Sequence, residues 1–362
     1  MDRYEIGKSK WEIDTPALVL DLEALERNLA RMAAFLRDRP ARVRPHSKTH
    51  KCPTIAWKQL RAGAIGITCA KLGEAEVMAR AGIRDILIAN QIIGPTKIRR
   101  LVNLAVDTEV MVAVEAAENA RQLSEAAVAA GVHLRTLIEV DVGMGRCGVA
   151  PGDETLALAR EMAALPGLRM EGIMGYEGHA VMLPDPERRR AAAEQAMALL
   201  VGAQETLERD GLPVGIVSAG GSGTYNITGA YPGVTEIQAG SYATMDARYK
   251  GVIPEFETAL TVVAQVISAR GDHAVIDAGL KTLTPEFGAP ELQHPAGWTL
   301  GHQSEEHSTL KHGDGAALKP GDRVEIVPSH GCTTINLHDA YYVTSGERVV
   351  AIWPIAGRGQ VR

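Results

Sequence analysis

Cysteine is scarce in this chain of 362 residues: Cys52, Cys69, Cys147 and Cys332 are scattered, with no CxxC pair that would suggest a zinc ribbon or a disulfide framework. The N-terminus also lacks the basic-then-apolar pattern of a secretory signal, and both features lead us to expect a reducing, cytoplasmic setting. No apolar run reaches the roughly 18 to 20 residues that a membrane helix requires, because charged residues interrupt each one. A basic excess is missing too. Lys and Arg number 38 against 44 Asp and Glu, giving a formal net charge of −6 with the two signs interspersed. That balance argues against nucleic acid and for a small-molecule partner. Neither a low-complexity linker nor an internal repeat of about 20 to 50 residues interrupts the chain.

What is present is a long alternation of short apolar runs with amphipathic stretches. The runs are "PALVLDL", "ARVRPHS", "AIGITCAK", "DILIAN", "EVMVAVE", "LRTLIEVDV", "LRMEGIMGYEG" and "VGIVSAGGSG", each followed by a helical or turn-rich segment. Apolar runs without polar alternation read as strands buried on both faces, as in a parallel sheet wrapped by helices. Eight such units predict a (β/α)8 TIM barrel over residues 14–250. Beyond about residue 250 the rhythm changes to β-branched residues, glycines and turns, as in "TALTVVAQVISARGDHAVIDAG" and "ERVVAIWPI". A mostly-β domain is therefore expected over 251–362, joined by residues 1–13.

The octapeptide "RPHSKTHK", Arg44 to Lys51, crowds cations at the end of a buried strand. In a barrel, the C-terminal strand ends form the active-site mouth, so Lys48 would present its amine there, where desolvation favours Schiff-base chemistry. A solvated loop lysine is the plain alternative. "SAGGSGTYN" at 218–226 follows the run read as the eighth strand, and "IQAGSYATMD" at 237–246 repeats its small-residue character. Backbone N–H groups in such loops can approach an anion closely, and barrels commonly hold phosphate after strands seven and eight.

Together, "RPHSKTHK", "EVDVGMGRCGV", "GYEGH", "GGSGTY", "EIQAGSY" and "PSHGCTTINLHD" resemble the fold-type III pyridoxal-phosphate enzymes, specifically the D-threonine aldolase and D-serine dehydratase family with its alanine-racemase-like barrel. The resemblance spans nearly the whole chain and keeps the family's order. It implies that Lys48 carries pyridoxal 5'-phosphate as an internal aldimine, that Arg146 meets the cofactor's phenolic oxygen, and that Tyr176 lies beside the pyridine ring. It further implies a phosphate cup made by Gly221, Ser222, Gly223 and Thr224 with Gly240, Ser241 and Tyr242. A homodimer is implied as well.

His330 and Cys332, two residues apart, would share one face if the segment is extended, and an imidazole with a thiolate suits a divalent metal, zinc before manganese or magnesium. Alone such a pair is more often accidental. The resemblance implies a metal here, held by H-x-C in dehydratases and often by H-x-D in aldolases. Substrates of the resembled family are β-hydroxy D-amino acids, and a metal near the β-hydroxyl serves either of two outcomes. Loss of the hydroxyl proton splits Cα–Cβ into glycine and an aldehyde; loss of the α-proton expels hydroxide and gives an α-keto acid and ammonia. His179, at a strand tip, is the expected base for the first, since an ordinary imidazole titrates near ~6.5. We expect the aldolase reaction, with D-serine or 3-hydroxy-D-aspartate dehydratase as the alternative, and an amino-acid racemase or a non-catalytic cofactor carrier behind them. His307 and Asp277 are further candidates for the mouth, while His46, His50 and His338 carry no assigned role.

Overall fold

The computed structural model describes residues 3–362 and divides into two compact units. One comprises residues 32–48, 55–240 and 360–362; the other comprises the chain up to Arg31, Thr49–Thr54 and Ser241–Gly359.

In chain order, β1 (Ala17–Asp21) leads into α1 (Leu22–Leu36), followed by β2 (Arg42–Val43), α2 (Pro53–Arg61), β3 (Ile67–Cys69), α3 (Leu72–Arg80), β4 (Asp85–Gln91), α4 (Pro95–Ala105), β5 (Glu109–Val114), α5 (Ala117–Ala130) and β6 (Leu134–Glu139). Then come α6 (Asp153–Ala163), β7 (Leu168–Met174), α7 (Pro186–Arg209), β8 (Ile216–Ala219), α8 (Tyr225–Thr228) and β9 (Glu236–Ile237). Strands β2 to β9 form a parallel sheet in the order β2-β9-β8-β7-β6-β5-β4-β3. The ring closes where His46 bridges Thr68, with Ser47 N–H donating to the Thr68 carbonyl at 2.7 Å and Thr68 N–H to the Pro45 carbonyl at 2.9 Å. The barrel expectation is met.

The membership of the eight strands differs from the sequence reading by one. "PALVLDL" is no barrel strand: β1 pairs antiparallel with Leu260–Val263 and parallel with Tyr342–Thr344 in the second unit. A doubly buried apolar run carries no mark of which sheet it joins. The eighth place is taken instead by β9, two residues of "EIQAGSY" that are too short to show a period. "SAGGSGTYN" therefore follows the seventh strand and "QAGSY" the eighth, the two positions where barrels hold phosphate.

The two ends of this barrel are built from different chemistry. Leu87, Met111, Ala113, Leu137 and Met174 form an apolar cluster within it. At the N-terminal ends of the strands lies an ionic plug. Arg44 Nε sits 3.1 Å from both Glu236 carboxylate oxygens and its Nη1 2.6 Å from Asp85 Oδ1, while Arg135 holds Glu171 at 2.7 and 2.9 Å. Buried charges of this kind persist only when paired and hydrogen-bonded. The longest helix, α7, starts on Asp185, whose carboxylate accepts the Arg188 N–H at 2.9 Å, and places Pro186 at its first position.

The second unit is built on β10 (Leu260–Arg270), β11 (His273–Ile276), β12 (Glu291–His294), β13 (Trp298–Gln303), β14 (Ser308–His312), β15 (Arg323–Val327), β16 (Ala340–Ser345) and β17 (Arg348–Pro354). Its main path runs β13-β14-β11-β10-β1-β16-β17, with β15 also pairing β10 and β12. Ile13, Ala17, Val19, Val263 and Val349 pack one of its apolar clusters. The short helix α9 (Ala247–Lys250) precedes β10, and α10 (Gly331–Ile335) lies between β15 and β16.

Candidate active site

The residues singled out in the sequence collect on two sets of loops, one in each unit. In the barrel unit, Lys48 stands on the turn after β2. Its neighbours Ser47 and Thr49 are buried while Lys48 is half-buried. Ser47 Oγ lies 3.0 Å from both the Thr68 carbonyl and Glu74 Oε1, and Lys48 N is 3.5 Å from His46 Nδ1. The Lys48 ammonium lies 5.8 Å from the centroid of the Tyr176 ring.

Arg146 reaches the same ring from the loop after β6, with its guanidinium carbon 5.5 Å from the centroid. Asp141 shapes that loop: one carboxylate oxygen accepts N–H groups from Gly143 and Gly145, each at 3.0 Å. Those glycines take φ of +108° and +66°, which side chains disfavour. The Gly145 N–H, aided by those of Gly143 and Met144 and by nearby His179, holds the Asp141 carboxyl below its ordinary value. Glu115 accepts the Gly148 N–H at 2.5 Å, and Gln91 bridges Glu115 and Glu139. Burial pushes the Glu139 carboxyl up, with Gln91 and Arg146 pulling against it.

His179 is exposed on the loop after β7 and lies against the neighbouring loop: a Cβ at Gly143 would stand 3.5 Å from its Cε1. Tyr176 rests on Gly221, where a Cβ would come 3.3 Å from its Cε2. Gly223 has no room at all, since a Cβ would fall 1.8 Å from the Val181 carbonyl oxygen. Ser222 and Thr224 are buried, and the Thr224 hydroxyl donates to Glu177 at 2.7 Å. Gly240 ends the barrel unit's share.

Ser241 and Tyr242 belong to the second unit. Tyr242 is buried edge-on against Phe256 at 5.7 Å, and Ser241 Oγ lies 3.8 Å from Cys332 Sγ. The Cys332 thiol also meets the Thr49 hydroxyl at 3.4 Å. His330 is buried, with Nδ1 2.8 Å from Asp246 Oδ2. The same carboxylate accepts the Gly331 N–H at 2.9 Å and, through Oδ1, the Tyr249 N–H at 2.8 Å. Burial opposes a charge on His330 most strongly, yet the Cys332 sulfur and then the Asp246 carboxylate override it and push the imidazole up to about 10. The Phe287 ring covers one side at 4.6 Å.

One premise of the sequence reading fails here. His330 is extended, at φ −138° and ψ 128°, but Cys332 lies in the first turn of α10, so the two do not share a face by strand alternation. They are brought together by the start of a helix. Among the described residues no group of three or more His, Cys, Asp or Glu side chains is gathered for a metal.

Of the remaining candidates, Asp277, His50 and His338 have structural partners. Asp277 accepts the Thr15 hydroxyl at 2.6 Å and the Gln265 N–H at 2.8 Å. His307 is exposed at the β13–β14 turn. His50 Nδ1 accepts the Cys52 N–H at 3.1 Å, and His338 Nε2 lies 2.9 Å from the Thr282 carbonyl. Three carboxylates went unnoticed in the sequence: Asp246, Glu139 and Glu177. Glu177 stands inside the quoted "GYEGH", and Asp246 closes "SYATMD" just after Met245, a non-glycine residue at φ +56°. A lone acidic letter carries no signal of its partners.

Comparison with known proteins matches residues 20–248 to the alanine racemase N-terminal domain and residues 259–344 to a putative serine dehydratase domain. The chain is 40% identical to a D-threonine aldolase from an Arthrobacter species, covering 96% of this chain and 93% of that one. It is 36% identical to a 3-hydroxy-D-aspartate aldolase of Paracoccus denitrificans (98% and 94% covered) and 32% identical to a D-threo-3-hydroxyaspartate dehydratase of a Delftia species (94% and 97%). Among solved structures, D-threonine aldolase from Filomicrobium marinum superposes with a TM-score of 0.96 at 39% identity over 99% of both chains. A D-threo-3-hydroxyaspartate dehydratase with a cysteine-to-alanine substitution, solved in its metal-free form, gives 0.87 at 31% identity over 96% of this chain and 98% of that one.

Proposed function

This chain belongs to the family of D-threonine aldolases and 3-hydroxy-D-aspartate aldolases and dehydratases, and within that family of lyases we propose that it cleaves β-hydroxy D-amino acids by a retro-aldol reaction to glycine and an aldehyde. The observation that carries the choice of reaction is the whole-chain likeness to D-threonine aldolases, in sequence and in structure alike.

The fold implies pyridoxal phosphate, and the barrel residues fit it. Lys48 offers an amine from a fixed turn, Tyr176 provides a ring near two cations, and Gly221 and Gly223 bring bare backbone to the loop after β8. Lys48 would tether the cofactor's aldehyde, Arg146 would meet its phenolic oxygen, and Ser222, Gly223 and Gly240 would receive its phosphate, the Gly221 N–H being turned to the Thr224 hydroxyl. When bound, the cofactor supplies an electron sink for negative charge developing at the substrate's Cα.

His179 takes the β-hydroxyl proton as Cα–Cβ breaks. Its exposure lets it reach a substrate, and the neighbouring Asp141 carboxylate, held ionised by the Gly145 N–H, stabilises the imidazolium that results. His330 and Cys332 fit a divalent metal, since Asp246 on Nδ1 leaves Nε2 and a soft sulfur as donors, a set that favours zinc over manganese or magnesium. A metal so held lowers the pKa of a coordinated hydroxyl. The proposal includes a homodimer in a reducing, cytoplasmic setting.

Cys332 favours a second reading, dehydration, in which Lys48 withdraws the α-proton and hydroxide leaves. Incubation with D-threonine separates the two. Acetaldehyde and glycine support the aldolase; 2-oxobutyrate and ammonia in their place refute it. Loss of turnover with a chelator, restored by zinc, supports the metal.

A further inference from the structure

Glu177 follows Tyr176 on the loop after β7 and is wholly buried. Its carboxylate is satisfied without an arginine or lysine: Oε1 accepts the hydroxyls of Thr224 at 2.7 Å and Thr228 at 2.6 Å, and Oε2 accepts the Gly220 N–H at 3.1 Å. All three donors belong to the single segment after β8 that would receive the cofactor's phosphate. From this geometry we infer that Glu177 is the positioning residue of the phosphate loop, setting the direction of its peptide and hydroxyl dipoles from beneath. The inference rests on the pyridoxal-phosphate reading above.

The chemistry depends on a group that only accepts hydrogen bonds. Because Thr224 commits its one hydroxyl proton to Glu177, its oxygen is left to accept, and the Gly221 N–H points to it at 3.3 Å. The N–H groups of Gly220 and Gly221 are thereby both turned toward the protein. Gly220 takes φ +83° to make this turn, and Ser222–Thr224 then wind into a 3-10 turn running into α8. Glutamine in place of Glu177 has the same size but presents an NH2 to one of these donors. One donor then loses its acceptor, and the loop is free to rotate a hydroxyl or a peptide plane. A loop with disordered dipoles receives a phosphate less well, while contacts to the ring are untouched.

The test compares the cofactor with its phosphate-free form. Purified apoprotein, as wild type and Glu177→Gln, is titrated with pyridoxal phosphate and separately with pyridoxal, following bound-cofactor absorbance. For Glu177→Gln, Kd for pyridoxal phosphate is expected to rise by about tenfold or more, the scale of one unsatisfied buried group, while Kd for pyridoxal stays within about twofold. Equal weakening of both ligands, or of neither, overturns the inference. Wild type that binds no pyridoxal phosphate refutes the cofactor reading instead. Should Glu177→Gln fail to fold, Thr228→Val removes one of the three donors and is judged by the same ratio of the two ligands.

Discussion

Asp246→Asn probes whether the His330–Cys332 pair is a metal centre oriented from behind. Asp246 is 1% exposed, and its two oxygens hold three hydrogens, on His330 Nδ1, Gly331 N and Tyr249 N, at 2.8 to 2.9 Å. Asparagine keeps one accepting oxygen and turns the other into a donor, so either the Tyr249 N–H or the His330 and Gly331 groups face an NH2. One buried donor without an acceptor costs about 1–3 kcal/mol of stability. Loss of the carboxylate behind a ligating histidine costs about 10- to 100-fold in metal affinity, or ~1.4 to 2.7 kcal/mol. The pH dependence sharpens the test. In the metal-free protein His330 is pushed up to about 10 from an ordinary 6.5, so the folded state holds this proton more tightly than the unfolded state. The stability it contributes is complete below about 6.5 and is lost as pH rises through about 10. A metal must displace the same proton, so apparent zinc affinity should climb by close to tenfold per pH unit between about pH 7 and 9. In Asp246→Asn one support of the imidazolium is gone, and the climb should level off at lower pH. Zinc affinity measured by chelator competition across this range, alongside thermal unfolding, reads both effects. Wild-type affinity that ignores pH, or an Asp246→Asn variant indistinguishable from wild type in affinity and slope, refutes the reasoning.

Lys48→Ala should abolish turnover and the covalent attachment of pyridoxal phosphate; borohydride reduction of the wild type followed by peptide mapping should find the label on the peptide carrying Lys48 and nowhere else. His179→Asn should lower kcat on D-threonine by about 10²- to 10⁴-fold with a smaller change in KM, as for a lost general base, and unchanged kcat would remove His179 from the chemistry. Arg44→Met should destabilise the fold by about 3–5 kcal/mol in denaturant titration, because it strands buried Glu236 without its cation, yet leave cofactor binding in the surviving folded protein intact.

The barrel and its mouth were legible in the sequence because each rests on a local pattern. Doubly buried strands such as Glu109–Val114 are apolar letters in a row, and the glycine loops after β8 and β9 announce turns. What a local pattern lacks is the identity of a partner distant in sequence. That is why "PALVLDL" reads as a barrel strand when its partners are Leu260–Val263 and Tyr342–Thr344, and why Glu236–Ile237 gives no strand signal. The spacing of His330 and Cys332 suggests a pair, but the strand alternation behind that expectation does not exist; α10 begins between the two residues. Asp246 lies 84 positions from His330 and had nothing in its surroundings to mark it.

Glu74, Glu115 and Glu177 share one role, and it explains how a mouth made of glycine-rich loops keeps its shape. Glu74 accepts Ser47 Oγ at 3.0 Å and Ala70 N–H at 2.8 Å beneath Lys48; Glu115 accepts Gly148 N–H at 2.5 Å behind Arg146; Glu177 gathers three donors behind Gly221. Glycine loops have little side chain to pack and lose much conformational entropy on folding, so apolar burial alone holds them weakly. An acceptor-only group that binds several backbone and hydroxyl donors offsets that deficit, since each donor removed from water must be paired. At the opposite end of the strands, carboxylates meet arginines instead, in the Arg44–Glu236–Asp85 and Arg135–Glu171 pairs. The same acidic residue type thus neutralises charge at the N-terminal end of the barrel and orders neutral donors at the C-terminal end.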